Sequence, residues 1–140
     1  VKPAGLVLGI DPGRSKAGFA VLRADGGVIA SGIEPLGGLR DRLSPIVADG
    51  GIETIALGGG TNSRAVKLLL AGLGLPVVWV DEFETSRLAR ALYFADHPPR
   101  GWRRLIPVGL QLPDRPVDDY AAIAIARRFL ERGVAPPPQS

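Results

Sequence analysis

Cysteine is absent from this 140-residue chain, which excludes a disulfide framework, a thiolate metal site and a cysteine nucleophile. Histidine occurs once, as His97, in a proline-rich stretch with no evident triad partner, so it reads as an ordinary loop residue. Apolar runs stay short of the ~18 residues that span a bilayer, and no secretory signal opens the sequence. The expected setting is a reducing cytoplasm with no membrane partner. Lysine is scarce, limited to Lys2, Lys16 and Lys67, so the net charge of +3 rests on arginine. So small an excess suits a polyanionic partner, but a genome-wide bias toward Arg, Ala, Gly and Pro accounts for it too.

What is present is globular. With 46% hydrophobic and 22% charged residues, the chain can fill one core and is too short for two. The expected organisation is a single domain over 1–134 and a disordered tail over 135–140. Leu6–Ile10 is an apolar run ending at Asp11-Pro12-Gly13, a buried strand entering a turn. Ala17–Leu22 and Val28–Ile33 read as strands joined by Asp25-Gly26-Gly27, a hairpin turn. Helices are expected at Leu36–Val47, Ser63–Leu73 (capped by Thr61 or Asn62), Thr85–Phe94 and Asp118–Arg132, and strands at Thr54–Leu57 and Pro76–Val80. Ala95–Pro116 is a long Pro- and Arg-rich loop. The order predicts an α/β fold: a mixed five-stranded sheet, three antiparallel strands then alternating helix and strand, flanked by helices.

The acids occupy junctions, where two readings stay open. Asp11 is either a turn residue or a carboxylate held at the end of a rigid strand, with Gly13 and Gly18 leaving room for a bulky ligand. Asp81, Glu82 and Glu84 follow the fifth strand, and acids there favour a helix N-terminus; yet strand ends in open α/β sheets also bind ligands. Asp118 and Asp119 open the last helix. Asp118, Ala122, Ile125 and Phe129 form one stripe toward the sheet, which a mere cap would not need, whereas Asp119 is turned away by roughly 100°.

Carboxylates brought together from separate elements repel unless they share a cation, and an all-oxygen site suits Mg²⁺ or Mn²⁺. A pair of such ions would support phosphodiester hydrolysis by in-line displacement. Arg100, Trp102, Arg103 and Arg104 make the densest basic patch, with Arg115 upstream of Asp118; they could bind phosphates and stack on a base, or form a solvated loop with Trp102 turned into the core. Arg14, Lys16 and Arg87 are further candidates for nucleic-acid contact.

These residues resemble a known family. Gly9-Ile10-Asp11-Pro12-Gly13, followed by Gly18 and Ala20, is similar to the first-strand motif of RuvC-type Holliday junction resolvases and the related YqgF proteins. Val80-Asp81-Glu82, leading to Thr85 and Arg87, resembles the YqgF motif after the fifth strand. Val117-Asp118 with Ala121-Ala122 resembles that family's last motif. The resemblance implies an RNase H-like fold and a metal-dependent endonuclease acting on branched DNA or structured RNA, with Asp11, Glu82 and Asp118 as catalytic and metal-binding residues. The departures matter. Leu57-Gly58-Gly59-Gly60 has no acid where RuvC places one, and Arg115 stands near where RuvC has another aspartate. Gly58–Thr61 also lacks the usual YqgF proline, so the chain looks like a divergent YqgF-like member.

Alternatives follow from the same residues: a pre-ribosomal RNA end-processing nuclease, or an inactive nucleic-acid-binding module with this fold. A sugar-kinase or actin-type ATPase shares the Asp-x-Gly first strand but needs two such domains. Symmetric cutting of a four-way junction requires two active sites, so that reading implies a homodimer.

Overall fold

A computed structural model of the chain describes residues 5–82, 85–107, 110–111, 113, 115–133 and 135–137. The strands are β1 (Leu6–Pro12), β2 (Lys16–Leu22), β3 (Val28–Pro35), β4 (Ile52–Gly58) and β5 (Val77–Val80). The helices are α1 (Leu36–Ala48), α2 (Ser63–Leu70), α3 (Thr85–Asp96) and α4 (Asp118–Arg132). One five-stranded sheet runs β3-β2-β1-β4-β5. The β1–β2 and β2–β3 pairs are antiparallel, while β1–β4 and β4–β5 are parallel. This is the mixed sheet the sequence predicts.

Alternation along β1 divides the core. Leu6, Leu8 and Ile10 join Phe19, Leu39 and Leu43 under α1 and α2, whereas Val7 joins Ala20, Ala122 and Ile125 under α3 and α4. Both faces are therefore covered, and β1 lies at the centre.

Some local expectations change. β1 continues through Asp11 and Pro12, which pair with Gly18 and Ala17. Asp11 is thus a strand residue, and the turn falls after it. Helix α2 ends at Leu70 and tightens into a 3-10 turn over Ala71–Leu73, stopped by Gly74 at φ 77°. Asn62 precedes α2 at φ 65° but makes no side-chain cap bond. Its amide Nδ2 instead donates to Gly13 O at 3.0 Å, tying the β4–α2 connection to the β1–β2 turn.

The stretch after α3 has order of its own. Gly101–Leu105 is a 3-10 turn, and the buried Gln111 amide donates to Arg103 O (2.6 Å) and Ile106 O (2.8 Å). His97 closes α3 by stacking on Tyr93, with ring centroids 4.6 Å apart. Beyond α4, Ala135 N donates to Trp79 O at 2.8 Å. No helix among the described residues is long and apolar enough to cross a membrane.

Candidate active site

Asp11 shares the α4 face of β1 with Val7 and Gly9, by the two-residue period of a strand. Its cross-strand partner is Gly18. A Cβ on Gly18 would strike the backbone oxygen of Asp118, so the first turn of α4 lies on bare backbone beside Asp11. Gly9 acts likewise further along: its missing Cβ admits the Ala122 carbonyl, and Ala126 Cβ would stand only 2.8 Å away. The expected role of Gly18, holding space for a ligand, is corrected. Helix α4 fills that space, because only a residue without a side chain lets its backbone come so close.

Glu82 reaches the same place from β5. Its carbonyl accepts Thr85 N (2.9 Å) and Thr85 Oγ1 (2.8 Å), which starts α3 and leaves the carboxylate to face inward. Gly58 and Gly60 make room for it, since Cβ atoms there would fall 2.7 and 3.0 Å from Glu82 Cδ. The glycines at the end of β4 are therefore the complement of an acid supplied by the neighbouring strand. Asp81 is exposed. Glu84 lies outside the described residues.

The third acid arrives on α4. Val117 holds the cap position without a side-chain cap bond, and Asp118 Oδ2 sits 3.8 Å from Lys16 Nζ. Asp119 points elsewhere, to Arg115 at 3.2 Å. Asp11, Glu82 and Asp118 line one cleft of about 430 Å³ together with the Thr85–Arg90 side of α3.

Burial and the charges of Glu82 and Asp118 push the Asp11 carboxyl up to about 8, and Glu82 accepts its proton. Glu82 is raised as well, chiefly by burial; the proton shared from Asp11 offsets part of this and the Asp81 charge adds to it. No cation contributes to either shift. Glu82 Oε1 is buried and accepts no hydrogen bond. Near neutral pH the pair thus holds a proton where a cation could stand. Among the described residues no three acids close to metal-ligand spacing, in keeping with Asp118 being drawn to Lys16. The hard-oxygen donors, the orphaned Oε1 and the uncompensated pair nevertheless fit a divalent cation of the Mg²⁺ type.

The basic candidates are spread more widely. Arg14 is exposed in the β1–β2 turn, and Arg87 is exposed on α3. Arg115 is engaged by Asp119 and lies over the rings of Tyr93 (5.5 Å) and Tyr120 (5.4 Å) at the cleft edge. Arg100 and Arg104 are exposed, Arg103 is half-buried, and Trp102 is 71% exposed rather than folded into the core. Sequence reasoning missed Arg90, which lines the acid cleft. The available signal was helical spacing: Arg90 follows Ser86 by one turn and flanks the buried Thr85–Ala89–Tyr93 stripe.

No protein-family model matches the sequence, and neither does any curated protein. Among solved structures, the chain is similar to Thermus thermophilus RuvC, with 20% identity over 95% of this chain and 99% of that one and a TM-score of 0.57. It is also similar to T. thermophilus RuvC in complex with a Holliday junction substrate, at 20% identity, covering 94% and 98% of the two chains, with a TM-score of 0.58. A mixed five-stranded sheet flanked by four helices, matched over nearly the whole of both chains, gives this protein the RNase H-like fold of RuvC.

Proposed function

We propose that this chain is a metal-dependent, structure-selective endonuclease that hydrolyses phosphodiester bonds in branched nucleic acid. The observation that carries the reading is the Asp11–Glu82 pair, two half-buried carboxyls brought together from the ends of β1 and β5 across β4, with no protein cation to neutralise them. Such a pair costs stability and has no packing role. It makes sense as a site awaiting a positive charge.

Asp11 and Glu82 would hold Mg²⁺ or Mn²⁺, as one ion or a pair, with Asp118 as third ligand on release from Lys16. When bound, the metal supplies a nucleophilic water and stabilises the leaving oxygen. The chain's own parts do the rest. Asp11 gives up its shared proton as the cation arrives, so loading is favoured by rising pH. Lys16, freed from Asp118, stands ready for a backbone phosphate. Gly58 and Gly60 fix the Glu82 carboxylate by leaving it a single slot. The exposed Arg14, Arg100, Arg104 and Trp102 offer phosphate-binding and stacking groups elsewhere on the surface.

The junction bound to RuvC favours branched DNA as the substrate class, and two-site cutting of a junction would call for a homodimer. Structured RNA, as in end-processing of a pre-ribosomal transcript, is the second reading. It is favoured by Glu82 standing after β5 while β4 ends in glycine, an arrangement resembling the YqgF motif. The test is cleavage of four-way DNA, stem-loop RNA and plain duplex with Mg²⁺, Mn²⁺ or excess chelator, beside sedimentation of the free and bound chain. Metal-dependent cutting of a branched or folded substrate, lost in Asp11→Asn, is expected. Activity in chelator, or indifference to Asp11, overturns the proposal. Binding without any cleavage would leave the inactive-module reading.

A further inference from the structure

Three cations stand around the acid cleft: Lys16, Arg90 and Arg115. Two are engaged. Lys16 lies 3.8 Å from Asp118, and Arg115 lies 3.2 Å from Asp119 and over two tyrosine rings. Arg90 differs. It is half-buried on α3, its Nε is buried without a hydrogen-bond partner, and it makes no ion pair among the described residues.

An arginine cannot lower this cost by losing its proton, because the guanidinium stays charged at any ordinary pH. A buried donor left unmade is destabilising, and in a folded protein it calls for an explanation such as a bound water, an ion or a role in a site. Burial of the stem alone would not require a charged end; methionine or leucine would pack beside Ala89 more cheaply. With Nε buried, the two terminal nitrogens are the donors left to the cleft, and paired guanidinium donors can grip two oxygens of one phosphate.

We infer that Arg90 binds the substrate phosphodiester, taking its non-bridging oxygens on the α3 wall of the cleft opposite the acids. This deepens the nuclease reading and rests on it for the identity of the ligand. Asp11 and Glu82 sit at strand ends, Asp118 on α4 and Arg90 on α3, so a phosphate between them is held from separate rigid elements. The same charge offsets the approach of a polyanion to three carboxylates, which would otherwise repel it. Arg90 thereby sets affinity before any bond is broken, and orientation afterwards.

The test uses the full chain with a four-way DNA junction and a stem-loop RNA as probes. Affinity is measured in chelator across a salt series, and kcat and KM with Mn²⁺. Arg90→Ala should weaken binding of the preferred probe by roughly tenfold or more and flatten the slope of log K against log salt by roughly 0.7–0.9. Arg90→Lys should restore the slope while leaving kcat/KM low, since a point charge lacks the parallel donors. Arg90→Met keeps the stem and controls for packing. It should melt no lower than the parent yet bind as weakly as Arg90→Ala. Parental affinity and slope in Arg90→Met overturn the inference, whatever the melting point of Arg90→Ala. If the parent cuts and Arg90→Met cuts and binds equally well, Arg90 fails and the nuclease reading stands. If the binding defect appears in a chain that cuts nothing, Arg90 stands and the nuclease reading falls. A parent that binds neither probe overturns both.

Discussion

Replacing Asp11 with asparagine removes one charge from a half-buried pair and tests that pair without reference to any substrate. In the folded protein the Asp11 carboxyl titrates at about 8, against 3.8 for an ordinary aspartate. A raised carboxyl lends stability that is full below 3.8 and is lost as pH climbs through about 8. At about 1.4 kcal/mol per pH unit the ceiling is roughly 5–6 kcal/mol, and water entering the open side of the cleft reduces what is realised. For a domain of this size, where 1 kcal/mol moves the midpoint by roughly 3 °C, the parent should melt on the order of 10 °C lower at about pH 9 than at about pH 5. The asparagine amide can still donate to Glu82, so Asp11→Asn should show little of this decline and should exceed the parent in alkaline buffer. The assay is thermal unfolding by circular dichroism across pH, read as the difference between variant and parent so that other titrating groups cancel. Adding Mn²⁺ should raise the parent's midpoint more at high pH than at low, because the cation displaces the shared proton. Parallel pH curves for the two proteins would refute the reasoning.

Cleavage should fall by orders of magnitude in Glu82→Gln and in Asp118→Asn, and by less than about tenfold in Asp119→Asn, measured as single-turnover rates; a dead Asp119→Asn would reverse the assignment on α4. Gly60→Ala should displace the Glu82 carboxylate and depress activity with a nearly unchanged melting point, since a side-chain end can yield. Gly18→Ala meets a backbone oxygen instead and should cost about 2–3 kcal/mol in chemical denaturation; a neutral effect would mean that α4 does not lie on β2 as described. Joint replacement of Arg100, Arg103 and Arg104 by alanine should flatten the salt dependence of nucleic-acid binding, and an unchanged slope would assign that stretch to another role.

The fold was legible because its signals are local. The apolar run Leu6–Ile10 marks a buried strand and the Asp25-Gly26-Gly27 hairpin the antiparallel pair after it, and the Asp118–Phe129 stripe marks the helix face that meets them. Other features depend on partners distant in the chain. Asn62 has the chemistry of a cap, and only the fold brings Gly13 O to its amide. Gly18 looked like open space, and only the path of α4 shows what fills it. Likewise the glycines ending β4 have no local meaning until Glu82 lies over them. Arg90 carries no motif. Helical spacing places it beside the buried stripe of α3, but its missing partner is a property of packing.

The hydrogen bond from Ala135 to Trp79 has a consequence for how the molecule meets its own kind. β5 is an outer strand of the sheet, and an unpaired outer strand is a template on which a second polypeptide can add. The carbonyl of Trp79 is already taken by the segment returning from α4, so this margin is partly closed by the chain itself. The opposite margin, β3, carries Val28 and Ile29 at 40% and 46% exposure. Accretion of misfolded or concentrated protein should therefore begin at β3, across the sheet from Glu82, and polar substitutions at Val28 and Ile29 are the economical way to keep the protein in solution.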